Sequence, residues 1–250
     1  MEKRSISLNC DMGESFGIWT LGNDKAVMPN IHMANIACGF HASDPQVMDR
    51  TIRLAIQYDV KIGAHPSYPD LQGFGRRSIK LDPKEITNIL IYQIGALKGL
   101  CDNHNVALSY VKPHGALYND MIKDLAIFEA VVDSAACFNL PVMTLAVANT
   151  QPYLDIADRY DVPLLFEAFA DRSYQSNGML APRSVENAVL TDQEEILNQV
   201  LQIARYGKVR TLDGYSIAIE ADTLCVHGDN QQGVLLIEQI RALLDKENLT

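Results

Sequence analysis

Residues 32–65 read HMANIACGFHASDPQVMDRTIRLAIQYDVKIGAH and contain, in order, a strand pattern, a helix pattern and a second strand pattern. The runs His32 to Cys38 and Val60 to Ala64 are short and apolar, which is typical of buried strands. Between them, an Asp-Pro pair supplies a helix cap and a proline at the first helical position, and apolar residues then recur at helical spacing. The pattern predicts a helix over Asp44 to Tyr58 that joins two parallel strands.

The same alternation continues along the rest of the chain. Five more strands are predicted, at Ile6 to Asp11, Val106 to Val111, Val142 to Val147, Pro163 to Ala168 and Thr223 to Val226. Five more helices are predicted, at Asp82 to Asn103, Leu125 to Phe138, Gln151 to Arg159, Gln193 to Tyr206 and Gln231 to Lys246. Lys208 to Ile219 carries an Asp-Gly pair between two short alternating runs, which predicts a β-hairpin. Strands that alternate with helices indicate a parallel α/β architecture, and we expect one domain over residues 1–250.

The composition excludes several classes of protein. The chain has 250 residues, 48% of them hydrophobic and 21% charged, which is typical of a globular domain. Its formal net charge of -10 argues against a nucleic-acid partner, since such partners are bound through clustered cations. No apolar run approaches the ~20 residues that span a membrane, and the N-terminus lacks a signal-peptide core. We therefore expect a cytoplasmic protein without a membrane partner, with its five cysteines reduced because none has CxxC spacing.

Residues able to transfer protons, bind anions or hold metals lie at the ends of the predicted strands. They are Asn9, Asp11 and Glu14 at the first, His41 at the second, His65 at the third, Lys112 and His114 at the fourth, Asp171 and Arg172 at the sixth, and His227 and Asp229 at the seventh. The carboxyl ends of parallel strands open on one face, so we expect these side chains to form one site. A single strand-end histidine is more often structural, but four of the six histidines lie at such positions. His32 and His104 do not, and we assign them no chemistry.

These residues permit more than one chemistry. Carboxylates and imidazoles suit proton transfer. The catalytic candidates are Asp11, His65, His114 and His227. The same four side chains are candidate ligands for a divalent metal, although no close helical pair such as HxxxH supports one. Cys225 is a candidate nucleophile near His227, but a buried structural thiol is the favoured interpretation.

A long loop offers groups for binding an anion. Residues 63–77 read GAHPSYPDLQGFGRR, and we expect Gly73 and Gly75 to let backbone amides approach a ligand closely. Arg76 is suited to bind a carboxylate or phosphate through two hydrogen bonds. The other substrate-binding or anion-binding candidates are Asn9, Glu14, His41, Lys112, Asp171, Arg172 and Asp229. The chain has neither a GxxxxGK[ST] loop nor a GxGxxG turn, so no standard nucleotide site is predicted.

Eight segments resemble the LamB/YcsF family and span nearly the whole chain in the family's order. They are LNCDMGESFG (8–17), ANIACGFHASDP (34–45), GAHPSYPDLQGFGRR (63–77), YQIGAL (92–97), VKPHGALYN (111–119), EAFADRSY (167–174), GMLAPR (178–183) and DTLCVHGDN (222–230). The resemblance implies a distorted seven-stranded parallel β/α barrel like those of glycoside hydrolases and deacetylases. The hairpin would be a small insertion in that barrel.

The resemblance also implies a reaction, in which the lactam of 5-oxoproline is cleaved to L-glutamate while ATP becomes ADP and phosphate. ATP, with Mg²⁺, would be the co-substrate, and the chain would work with partner subunits B and C. Asp11 or His114 would then be the base and His65 or His227 the acid, with Arg76 and Lys112 holding the substrate carboxylate or phosphoryl group. Glu14, Asp171 and Asp229 would orient the imidazoles or carry Mg-ATP.

Two other functions remain open at this point. One is a non-catalytic subunit whose cleft binds the substrate for its partners. The other is a metal-dependent carbohydrate deacetylase, which the fold alone suggests. The sequence also leaves open whether identical chains associate into a homo-oligomer.

Overall fold

The computed structural model describes residues 5–182, 184–228 and 231–250. Its strands are β1 (Ser7–Met12), β2 (Met33–Ala37), β3 (Lys61–His65), β4 (Leu108–Val111), β5 (Val142–Leu145), β6 (Leu164–Phe169), β7 (Lys208–Arg210), β8 (Ser216–Ala218) and β9 (Thr223–Cys225). Seven of these strands close into a barrel in the order β1-β2-β3-β4-β5-β6-β9, and every neighbouring pair is parallel. The predicted seven-stranded parallel β/α barrel is therefore confirmed.

Helices surround the barrel. They are α1 (Asp24–Val27), α2 (Pro45–Gln57), α3 (Pro83–Asn103), α4 (Gly115–Lys123), α5 (Leu125–Ala136), α6 (Gln151–Arg159), α7 (Gln193–Tyr206) and α8 (Gln231–Lys246), with a 3₁₀ turn at Met28–Asn30. The predicted bounds of the strands and helices differ from the observed ones by at most two residues. The predicted caps are present, since Asp44 accepts from Gln46 N and Val47 N, and Asp82 forms a capping box with Glu85. None of the helices in the described residues is long and apolar enough to cross a membrane.

The sequence pattern does not predict α4, because it follows β4 directly and is short. His114 is still extended, at φ -97° and ψ 148°, and the helix begins at the next residue. Asp124 then leaves the helical conformation and caps α5 by accepting from Ala126 N at 2.9 Å. The connection from β4 to β5 thus contains two short helices instead of one.

The hairpin prediction is confirmed. Strands β7 and β8 pair antiparallel, with Lys208 opposite Ala218 and Arg210 opposite Ser216. Gly214 in the turn has a φ of +86°, which glycine adopts readily because it has no Cβ. The hairpin forms a two-stranded sheet of its own beside the barrel.

The barrel interior is filled in two layers. Met33, Tyr110 and Met143 are buried in a small apolar cluster, with Leu165 against them, apart from the main core between strands and helices. Side chains two positions apart on a strand share a face. The next inward residues on the same strands are Asn35, Lys112, Leu145 and Glu167, and three of these four are polar or charged. The interior therefore changes from apolar to polar toward the carboxyl ends of the strands.

Candidate active site

A pocket of about 530 Å³ opens at the carboxyl ends of the barrel strands. The predicted site residues that line it are Asp11, Glu14, His65, Arg76, Lys112, His114, Arg172 and His227. Asn9, His41 and Asp171 lie behind this lining and contact it, as described below. Asp229 lies outside the described residues. The expected convergence of strand-end residues is therefore observed for the part of the chain that the structure describes.

A buried hydrogen-bond network forms the floor of the pocket. Asn35 Nδ2 donates to Asn9 Oδ1 and to Asp11 Oδ1, both at 2.8 Å. Lys112 Nζ donates to Asn9 Oδ1 at 3.1 Å and to Asp11 Oδ1 at 3.2 Å, and it forms an ion pair with Glu167 Oε1 at 2.7 Å. The Lys112 side chain is 3% exposed and that of Glu167 is fully buried. The ammonium is thus already bound within the protein, beneath the pocket.

The charges of this network fix the protonation of its members. Burial alone would raise the pKa of Asp11, but His65 and Lys112 lower it well below 3.8. Burial alone would lower the pKa of Lys112, but the Asp11 and Glu167 carboxylates raise it well above 10.5. Asp11 is therefore an anion and Lys112 a cation near neutral pH.

Several members of the floor are not among the residues predicted from the sequence. Tyr118 donates to Glu167 Oε2 at 2.8 Å, and Tyr110 donates to Asn35 Oδ1 at 2.7 Å. Glu167 and Asn35 each interrupt a strand that is otherwise apolar, and that interruption is the signal that would identify them. Tyr118 gives no such signal, because it lies on α4, which the sequence pattern does not predict.

His65 and His114 face each other across the pocket wall. His65 Nδ1 lies 2.7 Å from the Lys112 carbonyl oxygen, and His114 Nε2 lies 2.9 Å from the Phe74 carbonyl oxygen. A carbonyl oxygen only accepts, so each of these two nitrogens carries the ring hydrogen. The other two nitrogens, His65 Nε2 and His114 Nδ1, are 2.9 Å apart. Burial, together with His65, lowers the pKa of His114 to about 3, so its ring is neutral.

Carboxylates approach the facing nitrogens from both sides. Asp11 Oδ2 lies 3.3 Å from His65 Nε2, and Glu14 Oε1 lies 3.5 Å from His114 Nδ1. His41 Nε2 lies 3.1 Å from the same Glu14 oxygen and donates to it. One donor atom from each of Glu14, His41, His65 and His114 lies within 4.8 Å of the other three, whereas His227 is outside this set. Burial, together with His114 and His65, lowers the pKa of His41 well below 6.5.

His227 belongs to a different pair in the same pocket. Its Nδ1 lies 2.9 Å from Asp171 Oδ2, and its ring stacks on Phe169 with the ring centroids 6.2 Å apart. Burial alone would lower the pKa of His227, but Asp171 raises it above 6.5. Burial alone would raise the pKa of Asp171, but His227 lowers it below 3.8. Asp171 therefore favours the protonated form of His227 beside the cavity.

The predicted cations differ in what they contact. Arg76 is exposed at the pocket mouth, with its guanidinium 5.1 Å from the centre of the Phe74 ring. Arg172 is buried and donates to the carbonyl oxygens of Ala181, at 2.7 Å, and Ala188, at 3.3 Å, which anchors the segment between β6 and α7. Arg76 is consequently the better placed of the two to meet an anion entering from solvent.

The loop glycines pack closely against side chains of the protein. Gly75 has a φ of +63°, and a Cβ there would lie 2.8 Å from atoms of both His41 and His114. A Cβ on Gly73 would overlap the Asp70 carboxylate, which accepts from Gly73 N at 3.0 Å. Gly75 therefore allows close approach of the backbone to the pocket histidines, and Gly73 allows close approach to Asp70. The approach of their backbone amides to a ligand remains a prediction.

Cys225 is a buried member of the network. Its Sγ lies 3.4 Å from Lys112 Nζ, and the residue is fully buried. Burial raises the pKa of its thiol well above 9.0. A thiol of this kind is a poor nucleophile, which agrees with the structural interpretation.

The two histidines outside the strand-end set have structural contacts. His32 Nδ1 accepts from Leu8 N at 2.9 Å, and His104 Nε2 lies 2.7 Å from Asp49 Oδ1. Both lie away from the lining of the pocket.

The family and the relatives of the chain agree with this architecture. The model of the LamB/YcsF family matches residues 6–250. The 5-oxoprolinase A subunit of Vibrio cholerae serotype O1 is 69% identical over 246 residues, which cover 98% of this chain and 100% of that protein. A 5-oxoprolinase A subunit of Pseudomonas aeruginosa is 50% identical over 244 residues, with 97% of each chain covered.

A solved structure shares the whole fold. The lactam utilization protein from Thermus thermophilus superposes with a TM-score of 0.91 at 37% identity, and the match covers 98% of this chain and 97% of that one. The resemblance seen in the sequence is thereby confirmed along the full length of the barrel.

Proposed function

Because the chain belongs to the LamB/YcsF family, we propose that it works as the A subunit of a 5-oxoprolinase and that its strand-end pocket is where 5-oxoproline is opened. The observation that carries the proposal is the convergence of Asp11, His65, His114 and His227 on one pocket in a chain 69% identical to a relative of that name. A cavity of about 530 Å³ has room for a small lactam and for the group that activates it.

The proposed reaction begins with activation of the lactam by ATP. An unstrained five-membered lactam is a poor electrophile, and its hydrolysis is unfavourable, so the ring opening needs a coupled reaction. The amide oxygen attacks the γ-phosphorus of ATP, and ADP leaves. Water then adds to the activated carbon, the ring C–N bond breaks as the nitrogen takes up a proton, and an acyl phosphate remains. A second water converts the acyl phosphate into the glutamate carboxylate and phosphate.

The residues of the pocket fit the proton transfers of this reaction. Asp11 is ionised and is the base that receives the proton of the attacking water. Asp171 favours the protonated form of His227, and His227 is the acid that protonates the departing nitrogen. Arg76 at the mouth binds the substrate carboxylate or the phosphoryl group. Lys112 also lines the pocket, where it keeps Asp11 ionised and remains a candidate for the same anion.

The proposal includes partners and a co-substrate. The relatives are named as one subunit of a larger enzyme, and we propose that this chain is active only when joined by subunits B and C. ATP reaches the site as its Mg²⁺ complex, and a reaction that consumes ATP belongs in the cytoplasm. The absence of a GxxxxGK[ST] loop from the sequence favours a nucleotide site to which partner subunits contribute.

Reconstitution tests this function. The chain would be combined with subunits B and C, and ADP and glutamate would be measured with and without 5-oxoproline. We expect both products to depend on 5-oxoproline, and Asp11→Asn and His227→Gln each to lower the rate by about 100-fold to 10,000-fold. Asp49→Asn, on the outer surface of α2, is the matched control and should retain the wild-type rate.

Two outcomes would contradict the proposal. Unchanged turnover in both pocket variants would favour a subunit that binds substrate without catalysing the reaction. Chelator-sensitive release of acetate from an N-acetylated sugar, without ATP and without activity on 5-oxoproline, would favour a deacetylase.

A further inference from the structure

His65 and His114 each have one ring nitrogen that contacts a backbone carbonyl oxygen and one that faces the other histidine. Each ring donates its hydrogen outward to a backbone carbonyl oxygen, of Lys112 for His65 and of Phe74 for His114. The inward nitrogens, His65 Nε2 and His114 Nδ1, are 2.9 Å apart. A contact this short is favourable when a proton lies between the two nitrogens or when both nitrogens bind the same cation.

The surroundings of the facing nitrogens favour a cation with more than one positive charge. Glu14 Oε1 lies 3.5 Å from His114 Nδ1, and Asp11 Oδ2 lies 3.3 Å from His65 Nε2. One nitrogen of each of these two histidines and one Glu14 oxygen thus lie within 4.8 Å of one another, and the Asp11 carboxylate adjoins the His65 nitrogen. The side chains of His65 and His114 are only 1% and 6% exposed. Such mixed nitrogen and oxygen donors suit Zn²⁺ and its first-row neighbours.

His41 has a supporting position in this arrangement. Its ring lies parallel to that of His114, at an interplanar angle of 2° and a centroid distance of 3.7 Å. The lone pairs of stacked rings lie in two separate parallel planes, so one ion cannot lie in the ring planes of both His41 and His114. His41 Nε2 instead donates to Glu14 Oε1, at 3.1 Å, and fixes the direction of that carboxylate.

We propose that Glu14, His65 and His114 bind a divalent first-row transition-metal ion, with Zn²⁺ the best match to their donor atoms. His114 Nδ1 lies 2.9 Å from His65 Nε2 and 3.5 Å from Glu14 Oε1. In a tetrahedral zinc site with bonds near 2.1 Å, ligand atoms are separated by about 3.4 Å. The outward hydrogen bonds of both imidazoles to backbone carbonyls are the outer contacts that metal-bound histidines usually have. Three protein ligands leave a fourth position open toward the pocket.

Metal binding to the full chain tests this inference without any activity measurement, so its failure is separate from failure of the proposed reaction. The chain would be stripped with a chelator, dialysed, and titrated with Zn²⁺ and with Co²⁺. Calorimetry and elemental analysis would give the affinity and stoichiometry, and the visible spectrum of bound Co²⁺ would report the coordination number. We expect one ion per chain and a four-coordinate cobalt spectrum.

Variants locate the site. Glu14→Gln and His114→Asn should each weaken Zn²⁺ binding by at least about 100-fold, and His41→Asn should weaken it by about 10-fold to 100-fold through loss of the hydrogen bond to Glu14. His104→Gln is the matched control, since His104 is also paired with an aspartate but lies outside the pocket, and its affinity should equal that of the wild type. Circular dichroism would show whether each variant is folded.

Measurements on the wild-type chain can overturn the proposed metal site without any variant. Failure to bind Zn²⁺ or Co²⁺, together with a ¹⁵N spectrum showing one proton shared between His65 Nε2 and His114 Nδ1, would mean that a proton occupies the place assigned to the metal. Binding that all three variants leave unchanged would also overturn it, because the ion would then lie elsewhere.

Discussion

At the scale of single residues, Lys112 carries a positive charge deep inside the barrel. Its side chain is 3% exposed, and its ammonium lies 2.7 Å from Glu167 Oε1 and 3.2 Å from Asp11 Oδ1. A charge at this depth is tolerated because both carboxylates adjoin it. The three charges are therefore interdependent, and removal of one leaves the others unbalanced.

Lys112→Met should destabilise the protein by about 3 to 5 kcal/mol, because Glu167 and Asp11 would remain buried without their cation. Urea denaturation would measure the change in the free energy of unfolding. Adding Glu167→Gln to Lys112→Met should recover part of the loss, since the glutamine is neutral and can still accept from Tyr118. Equal stability of the wild type and Lys112→Met would contradict the assigned charges.

The His227–Asp171 pair predicts an alkaline limit to activity. His227 must be protonated to act as an acid, and its pKa lies above 6.5 because Asp171 outweighs the opposing effects of burial and of Lys112. We expect the turnover number of the reconstituted complex to fall as pH rises through this raised pKa. In His227→Gln the remaining slow rate should lack that decline, whereas His104→Gln should retain it. A decline that persists unchanged in His227→Gln would assign the acid to another group.

Individual site residues differ in how well the sequence predicts them. Asp11 lies near the end of β1 and His114 follows β4, and strand ends of a parallel barrel converge, so their shared location is predictable. The direction of a ring hydrogen is not, because the carbonyl oxygens that fix His65 and His114 come from segments whose backbone path the sequence does not show. The contacts of Arg172 are not predictable either, since the carbonyl oxygens that accept from it belong to Ala181 and Ala188, in the irregular segment between β6 and α7.

At the scale of elements, Asp44 joins a helix to a loop at the pocket. Its Oδ1 accepts from Gln46 N and Val47 N at the start of α2, and its Oδ2 accepts from Gly17 N at 2.8 Å. Gly17 lies in the loop after β1 that begins near Glu14. One carboxylate thus caps the helix and holds the loop.

Asp44→Ala should destabilise the protein by about 1 to 2 kcal/mol, because α2 loses its cap and the loop loses its anchor. Thermal or urea denaturation would measure the loss. Asp44→Asn is the control, since its amide oxygen can still cap the helix, and it should lose less. If the two variants were equally stable, the cap would not be the source of the effect.

Element prediction succeeds where local chemistry decides the structure. The helix from Gln193 to Tyr206 is found at its predicted bounds, because an Asp cap precedes it and Gly207 ends it in the left-handed conformation. Helix α4 has no side-chain cap and is nine residues long, so tertiary packing determines it. The position of Tyr118 in the floor of the pocket therefore cannot be predicted from the sequence pattern.

At the scale of the whole molecule, the loop between β1 and α1 exposes large apolar side chains. Ile18 is 91% exposed and Trp19 is 68% exposed, in the loop that connects β1 to α1 and starts near Glu14. Adjacent exposed apolar side chains mark interaction surfaces more often than single ones do, and tryptophan is frequent at the centre of protein interfaces. We expect this loop to contact a partner subunit, next to the site where the subunits cooperate.

The double variant Ile18→Ser and Trp19→Ser should weaken assembly with subunits B and C by at least about tenfold, because it removes an apolar anchor. Biolayer interferometry with the immobilised chain would measure the affinity. Tyr215→Ser is the matched control, since Tyr215 is also 68% exposed but lies on the β7–β8 hairpin. Unchanged affinity in the double variant would exclude the loop from the interface.

Barrel closure brings residues as distant in sequence as Asp11 and His227 to one pocket. The sequence predicts that convergence, since seven strands alternate with helices and the polar residues follow them. The sequence does not predict the hydrogen-bond and packing partners of each side chain, because these depend on the register of the strands in the closed barrel. Gly63 shows this dependence, as it pairs with Tyr110 across β3 and β4, and a Cβ there would overlap the tyrosine ring.

A structure of the assembled complex with 5-oxoproline bound would show whether the strand-end pocket of this chain is where the lactam is opened. We predict density for the lactam in the strand-end pocket of this chain, with its amide group beside Asp11 and its carboxylate within hydrogen-bond distance of Arg76. Density for 5-oxoproline in another subunit, with this pocket empty at saturating substrate, would contradict the account.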